Sequence, residues 1–318
     1  MSEEVIDIQN LVKTYPGHTA VDGLNLKIRK GEVFGLLGPN GAGKSTTILM
    51  LMGMTDPSEG SLRVCGIDPT RQPVEVKRKV GYLPENVGFY EDRSGLDNLV
   101  YLARLNGFNL QEAESKAEEM LEKVGLTEAA HKKVGQYSRG MRQRLGLADT
   151  LIKSPEVIIL DEPTLGIDPK GVKELLALIT RLSKEEGLTV LLSSHHLHQV
   201  QQVCDRVGLF VAGKLIAEGD LESLSQQLFA ESEQRVEAHV SADNPSKIEQ
   251  AIQQISALDE VKTVERQEDR LQITCTGHSS PRIAREIAAA DLDLINLSQK
   301  QLGLDEIYQR YFEGGENE

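Results

Sequence analysis

Short apolar runs alternate along the chain with longer stretches in which apolar residues recur every three or four positions, and this rhythm persists to about residue 224. The runs Glu32–Leu37, Val157–Leu160 and Leu188–Ser193 are too brief for helices and too continuous for half-exposed strands. They read as buried neighbouring strands of a parallel sheet. Between them, Lys170–Glu186 sets Val172, Leu175, Leu176, Ile179 and Leu182 at helical spacing, which predicts a helix with one apolar stripe on the sheet. Further helical stretches are predicted over Thr47–Met52 and from Arg142 to Ile152. Alternation of this kind is how an α/β sheet covered by helices is written.

Beyond a seam the pattern changes. It reads strand Arg235–Val240, helix Pro245–Ile255, strands Val261–Arg266 and Leu271–Thr276, helix Pro281–Ala289, strand Leu292–Leu297 and a closing helix Leu304–Phe312. That order fits a small α+β ferredoxin-like domain. The expected organisation is therefore a first domain over 1–224 with a helical subdomain at about 86–155, a linker at 225–233, and a C-terminal domain over 234–318.

Composition narrows the function classes. The 318 residues suffice for two cored units. Acidic side chains number 49 against 35 basic, a net charge of −14, which repels nucleic acid phosphates. No nucleic acid partner is expected. Cys65, Cys204 and Cys275 show no CxxC spacing, which excludes a zinc clip or redox pair and leaves reduced, mostly buried thiols. The longest apolar stretch, Ile48–Met54, falls well short of the roughly 18 to 20 residues that span a bilayer. The acidic start, Met-Ser-Glu-Glu, lacks the basic and apolar regions of a secretion signal, so a cytoplasmic location is expected.

The chemistry begins at the end of the first buried strand. Gly38, Pro39, Asn40, Gly41, Ala42, Gly43, Lys44, Ser45 and Thr46 stand between strand and helix, the context that the G-x-x-x-x-G-K-[ST] pattern requires. A chain of phosphates must approach several successive backbone N–H groups, and bare glycine backbone at 38, 41 and 43 permits that approach. A helix N-terminus adds positive potential. Lys44 can reach the terminal phosphates as a point charge, and the Ser45 hydroxyl is a hard oxygen ligand suited to Mg²⁺. A second strand, Val157–Leu160, runs into Asp161-Glu162-Pro163-Thr164 and delivers two carboxylates where ligands bind in open parallel sheets. Asp161 is placed to hold the metal shell, and Glu162 to polarise an attacking water.

These residues, with further landmarks in order over about residues 5–225, resemble the ATP-binding subunit of ABC transporters. The resemblance implies a P-loop NTPase cassette with a parallel-sheet core, an antiparallel β part and a helical subdomain. ATP and Mg²⁺ are the implied cofactors, and Lys44, Glu162 and His195 the catalytic residues. Tyr15 matches the aromatic that stacks on adenine; otherwise it is an ordinary tyrosine before the Pro16-Gly17 turn. Tyr137-Ser138-Arg139-Gly140-Met141 stands where the family carries LSGGQ. Ser138 and Gly140 match it, whereas Tyr137, Arg139 and Met141 depart. Read alone, Ser138 is a helix N-cap. In the family this segment serves the nucleotide of the opposite subunit, which implies a homodimer. Asp168, in Leu165-Gly166-Ile167-Asp168, resembles the anchor of the loop crossing that interface. Among His195, His196 and His198, His195 matches the switch histidine, directly after two small residues.

Where many members carry glutamine, this chain has Glu85 in Tyr82-Leu83-Pro84-Glu85. The resemblance gives it a place beside the nucleotide and Mg²⁺, and Pro-Glu is common among bacterial exporters. The implied partner is a separate membrane permease docking near residues 85–110, with the subunit peripheral on the inner face of the membrane. Phe89, Tyr90, Leu99, Tyr101 and Leu102 either clasp that partner or form the subdomain's own core. The implied activity is ATP hydrolysis driving export. The alternative is a regulatory or soluble nucleotide switch uncoupled from transport.

Overall fold

The structure, a computed structural model, describes residues 3–220, 223–224, 233–241, 245–267, 269–276 and 279–300. The chain divides into two compact units, Met1–Asp220 and Leu221–Glu318. Of the expected linker, only Glu233 lies among the described residues, and the expected closing helix Leu304–Phe312 lies outside them.

In the first unit, strands β1 (Glu4–Tyr15), β2 (His18–Arg29) and β4 (Glu59–Val64) form an antiparallel sheet in the order β2-β1-β4. The main sheet has the order β5-β6-β7-β3-β8-β9, built from β3 (Val33–Leu37), β5 (Val80–Leu83), β6 (Val157–Asp161), β7 (Thr189–Ser194), β8 (Arg206–Val211) and β9 (Lys214–Gly219). All its pairings are parallel except β8 with β9. The continuous apolar runs are explained by burial on both faces. Along β6, Val157 and Ile159 join a core shared with β1, β2 and β4, while Ile158 and Leu160 join a second core on the opposite face.

That second core is closed by helices. Helix α3 (Gly95–Leu105) starts with a capping box between Ser94 and Asp97, and α4 (Leu110–Lys123) with one between Asn109 and Glu112. Each box satisfies N–H groups that a helix start leaves unpaired. Leu99, Ala103, Ala113, Ala117 and Leu121 then pack with α5 (Arg139–Leu151) and α6 (Pro169–Glu186). Helix α5 is capped by Ser138, as the pentapeptide read alone predicts. The apolar stripe of α6 lies in the same core through Leu175, Leu176, Ile179 and Leu182.

The second unit pairs β11 (Val261–Gln267), β12 (Arg270–Thr276), β10 (Glu233–Ser241) and β13 (Asp293–Lys300) antiparallel in the order β11-β12-β10-β13. Two helices, Pro245–Ser256 and Ser280–Ala289, bury Ile248, Ile255, Ile283 and Ile287 against alternate residues of its central strands. This is the ferredoxin-like arrangement that the pattern predicts.

The cysteines are free, and only Cys275 is fully buried. Cys65 and Cys204 are half-buried. Burial pushes the Cys65 thiol up to about 11 and raises that of Cys204. Both stay protonated and unreactive near neutral pH. Among the described residues no helix is long and apolar enough to cross a membrane.

Candidate active site

Three adjacent strand ends make the site. In the parallel register Leu37 of β3 lies opposite Ser194 of β7, and Ser193 lies opposite Asp161 of β6. Their C-terminal loops therefore emerge side by side.

The loop after β3 enters helix α1 (Lys44–Leu51) through Gly43, whose φ of 104° is left-handed and whose added Cβ would lie 2.2 Å from Ala20 O. No L-side chain fits there. Gly38 is required for a different reason. Its N–H donates to Ser194 O at 3.1 Å, and a Cβ would meet Phe210 O at 2.2 Å. It ties the loop to the sheet, and its own N–H is engaged there. Asn40, Gly41 and Ser45 are exposed and Ala42 is buried, with Ala42 O accepting from Gly213 N at 2.9 Å. The first turn of α1 carries no acidic residue of its own, and its free N–H groups and dipole present positive potential. Lys44 is buried and donates to Gly38 O at 2.7 Å and Pro39 O at 3.0 Å.

Asp161 and Glu162 are both buried, and consecutive backbone geometry sends them different ways. Asp161 Oδ1 accepts from Ser45 Oγ at 3.3 Å and Ser193 Oγ at 2.5 Å. Glu162 has φ 48°, and its Oε1 lies 3.4 Å from Lys44 Nζ while its Oε2 is 2.9 Å from His195 Nδ1. Oε1 is buried without a hydrogen-bond partner among the described residues, an acceptor whose desolvation is offset only by the lysine charge. With a carboxylate against Nδ1, that nitrogen carries the histidine proton. The rings of His195 and His196 lie 3.9 Å apart, tilted by 43°. Burial holds the His196 pKa below its usual value, and His195 lowers it further against the pull of Glu162.

No group of three or more His, Cys, Asp or Glu able to hold a metal occurs among the described residues. Ser45 Oγ and Asp161 nonetheless bring hard oxygens together at 3.3 Å. They fit Mg²⁺, which binds few protein ligands and completes its octahedron with water and phosphate oxygens.

Other predicted residues lie apart from this cluster. Tyr15 closes β1 beside its hairpin turn, 41% exposed, with Lys13 Nζ 5.0 Å from its ring centroid. Ser138 is exposed and accepts from Met141 N at 3.2 Å. No hydrogen bond or ion pair joins 138–140 to 38–46 among the described residues. Arg139 lies over Gly166, its Nε 2.9 Å from where a Cβ would stand, and Gly140 faces Ile167 in the same way at 3.3 Å. Tyr137 is buried and donates its hydroxyl to Ala129 O at 2.6 Å, an anchor beneath the exposed tip. Asp168 caps α6, accepting from Gly171 N at 3.2 Å. Glu85 is exposed and lines a cavity of about 230 Å³ with Asn86, Tyr137, Arg139, Arg142 and Gln143; no hydrogen bond or ion pair joins it to Ser45 or Asp161 among the described residues.

The aromatic and apolar residues of 85–110 divide between their two readings. Leu99 is core, with Phe89 and Leu102 packed against it, whereas Tyr90 and Tyr101 are exposed and meet edge to face at 5.5 Å. Sequence reasoning missed Ser193, which touches Asp161, and Gln199, whose Oε1 accepts from Thr164 Oγ1. A small polar residue inside an otherwise apolar buried strand was the available signal.

Comparison with known proteins agrees with this geometry. A family model described as ABC transporter matches residues 21–165. The linearmycin resistance ATP-binding protein LnrL of Bacillus subtilis is 33% identical over 96% of this chain and 97% of its own length. The bacitracin transport ATP-binding protein BcrA of Enterococcus faecalis is 34% identical, covering 98% of each chain. The daunorubicin/doxorubicin resistance ATP-binding protein DrrA of Streptomyces peucetius is 34% identical over 95% of this chain and 91% of its own. Among solved structures, the dimeric post-hydrolysis state of the ATP-binding cassette MJ0796 bound to ADP and Pi is 25% identical. It superposes with a TM-score of 0.62 over 68% of this chain and 98% of its own.

Proposed function

The chain belongs to the family of ABC transporter ATP-binding subunits, and on that premise we propose that two copies close on Mg-ATP and hydrolyse it to drive export through separate membrane subunits. The observation that carries this reading is the convergence of Lys44, Glu162 and His195, with contacts of 3.4 Å and 2.9 Å, at the open ends of β3, β6 and β7.

Each group has a task its environment suits. The α1 N-terminus and Lys44 hold the phosphates, and the same lysine screens the charge of Glu162. Glu162 Oε1, which accepts no hydrogen bond among the described residues, takes a proton from the attacking water. His195 donates Nδ1–H to Oε2, which fixes the carboxylate; its Nε2 can donate to the γ-phosphate where the ring carries both protons. Ser45 and Asp161 would hold Mg²⁺, which supplies charge neutralisation on the phosphate oxygens. Tyr15 offers its exposed face to the adenine, and Glu85 takes the metal-side position of the family's glutamine.

Ser138 and Gly140, on an exposed tip, serve the nucleotide of the partner copy, with Asp168 in the crossing loop beside them. The solved dimeric cassette supports this reading. So do the relatives named for antibiotic resistance and transport, which favour export. Permease docking is assigned to 85–110, where the exposed Tyr90 and Tyr101 pair offers an aromatic anchor. The chain then acts at the inner membrane face.

The test is Mg²⁺-dependent phosphate release by the purified chain, alone and with its co-expressed permease, alongside light scattering of Glu162→Gln with ATP. Hydrolysis in the wild type and an ATP-dependent doubling of mass in the variant are expected. A chain that neither hydrolyses nor binds ATP in either preparation overturns the reading.

A further inference from the structure

We propose that Ser193 is a positioning residue, a single buried hydroxyl that aligns both carboxylates of the site; this rests on the function proposed above. Ser193 is fully buried on β7, and the register sets it opposite Asp161. Its Oγ donates to Asp161 Oδ1 at 2.5 Å and accepts the backbone N–H of Glu162 at 3.0 Å. A hydroxyl has one proton to give. Here the proton goes to one carboxylate and a lone pair receives the amide that carries the other, so the hydroxyl's orientation is fixed from both sides.

The second contact matters because of what Glu162 must do. Its φ of 48° lies in the left-handed region that a non-glycine residue avoids. That turn separates the two carboxylates, leaving Asp161 with Ser45 and bringing Glu162 to Lys44 and His195. A disfavoured backbone persists only where its surroundings over-determine it. Besides Ser193 Oγ, the Glu162 N–H has, among the described residues, only Ser193 O, at 3.2 Å. The neighbouring serine is committed elsewhere: Ser194 O accepts from Gly38 N, and its Oγ accepts from His196 N at 2.9 Å. One strand end thus aligns the acids through Ser193 and the phosphate loop through Ser194.

Removing the Ser193 hydroxyl should slow the chemical step and spare nucleotide binding, since the Lys44 loop is anchored through Ser194. Ser193→Ala is expected to lower kcat by about ten- to hundredfold, the usual cost of losing a group that orients a reacting one. ATP affinity of the full chain, measured by calorimetry, should stay within about twofold, as expected of a group acting in the transition state, while the lost buried hydrogen bonds should lower Tm by only several degrees. In a Glu162→Gln background Ser193→Ala should lower residual hydrolysis by less than it does in the wild type, because groups that act as a unit are non-additive. Should Ser193→Ala fail to fold, Ser193→Cys keeps most of the volume with a weak donor, and the same loss is expected. A kcat near wild type overturns the proposal. So does a loss matched in affinity and Tm, or full additivity with Glu162→Gln. If the wild type itself does not hydrolyse ATP, the proposed function fails and this inference with it; an active wild type with an equally active Ser193→Ala sinks this inference alone.

Discussion

The two regions to which function is proposed are built on opposite plans. At the strand ends, Lys44, Asp161, Glu162 and Ser193 are all buried, and each has partners from another strand or loop. At the start of α5, Ser138 and Arg139 are exposed, and the Ser138 hydroxyl accepts from the helix it caps. The first region is pre-organised, since low local dielectric strengthens its contacts and buried charges must be paired. The second is an exposed rim, for which the proposed reading supplies a surface from a second copy. A half-site complete in protein contacts and a tip poor in them are what a shared, two-copy site requires.

Perturbations can break this contrast. The largest effect is expected from Glu162→Gln, which keeps the shape but removes the base; turnover should fall by at least about a hundredfold while ATP still binds. Phosphate release and nucleotide titration check both halves, and near-normal hydrolysis would remove Glu162 from its assigned task. Lys44→Ala comes next. Loss of a charged donor should weaken ATP binding by about ten- to hundredfold, and calorimetry showing unchanged affinity would contradict the phosphate-loop reading.

A third effect is electrostatic and belongs to the helix that bears the tip. Burial pushes the Asp149 carboxyl of α5 from 3.8 up to about 6, against the opposing pull of Lys153. Its raised pKa means that the folded chain holds this proton more tightly than the unfolded chain. The stabilisation it contributes is complete below about pH 4 and is lost as pH rises through about 6. Asp149→Asn should therefore raise stability at pH 8 by up to about 3 kcal/mol, with the gain vanishing near pH 4, as read by Tm across pH. The smallest effect is expected at the tip itself. Ser138→Ala should cost about 1 kcal/mol of stability through the lost cap and reduce dimer-dependent turnover, leaving ATP affinity of the monomer unchanged. A weakened monomer affinity would show that the tip belongs to its own chain's site.

The two regions were legible to different degrees. The strand-end region announced itself, because a glycine-rich turn before Lys44 and paired acids after a buried apolar run leave few other readings. The tail's strand and helix order was equally plain, since its alternation records one buried sheet face, seen in Val236, Ala238 and Val240. Residues 85–110 were ambiguous, because an aromatic at helical spacing serves a core or a surface equally well. Only packing separated Leu99 from Tyr90 and Tyr101.

Residue type and spacing by themselves determined the phosphate loop, the acid pair and the alternation of strands and helices, because these depend on local backbone and side-chain chemistry. Tertiary structure alone decided that the Gly38 N–H is tied to the sheet, that Glu162 takes a left-handed turn, and that Ser193 contacts both acids. Those facts arise where β6, β7 and β3 come into register. Hydrogen bonds between residues about thirty or more positions apart leave no period in the sequence from which to read them.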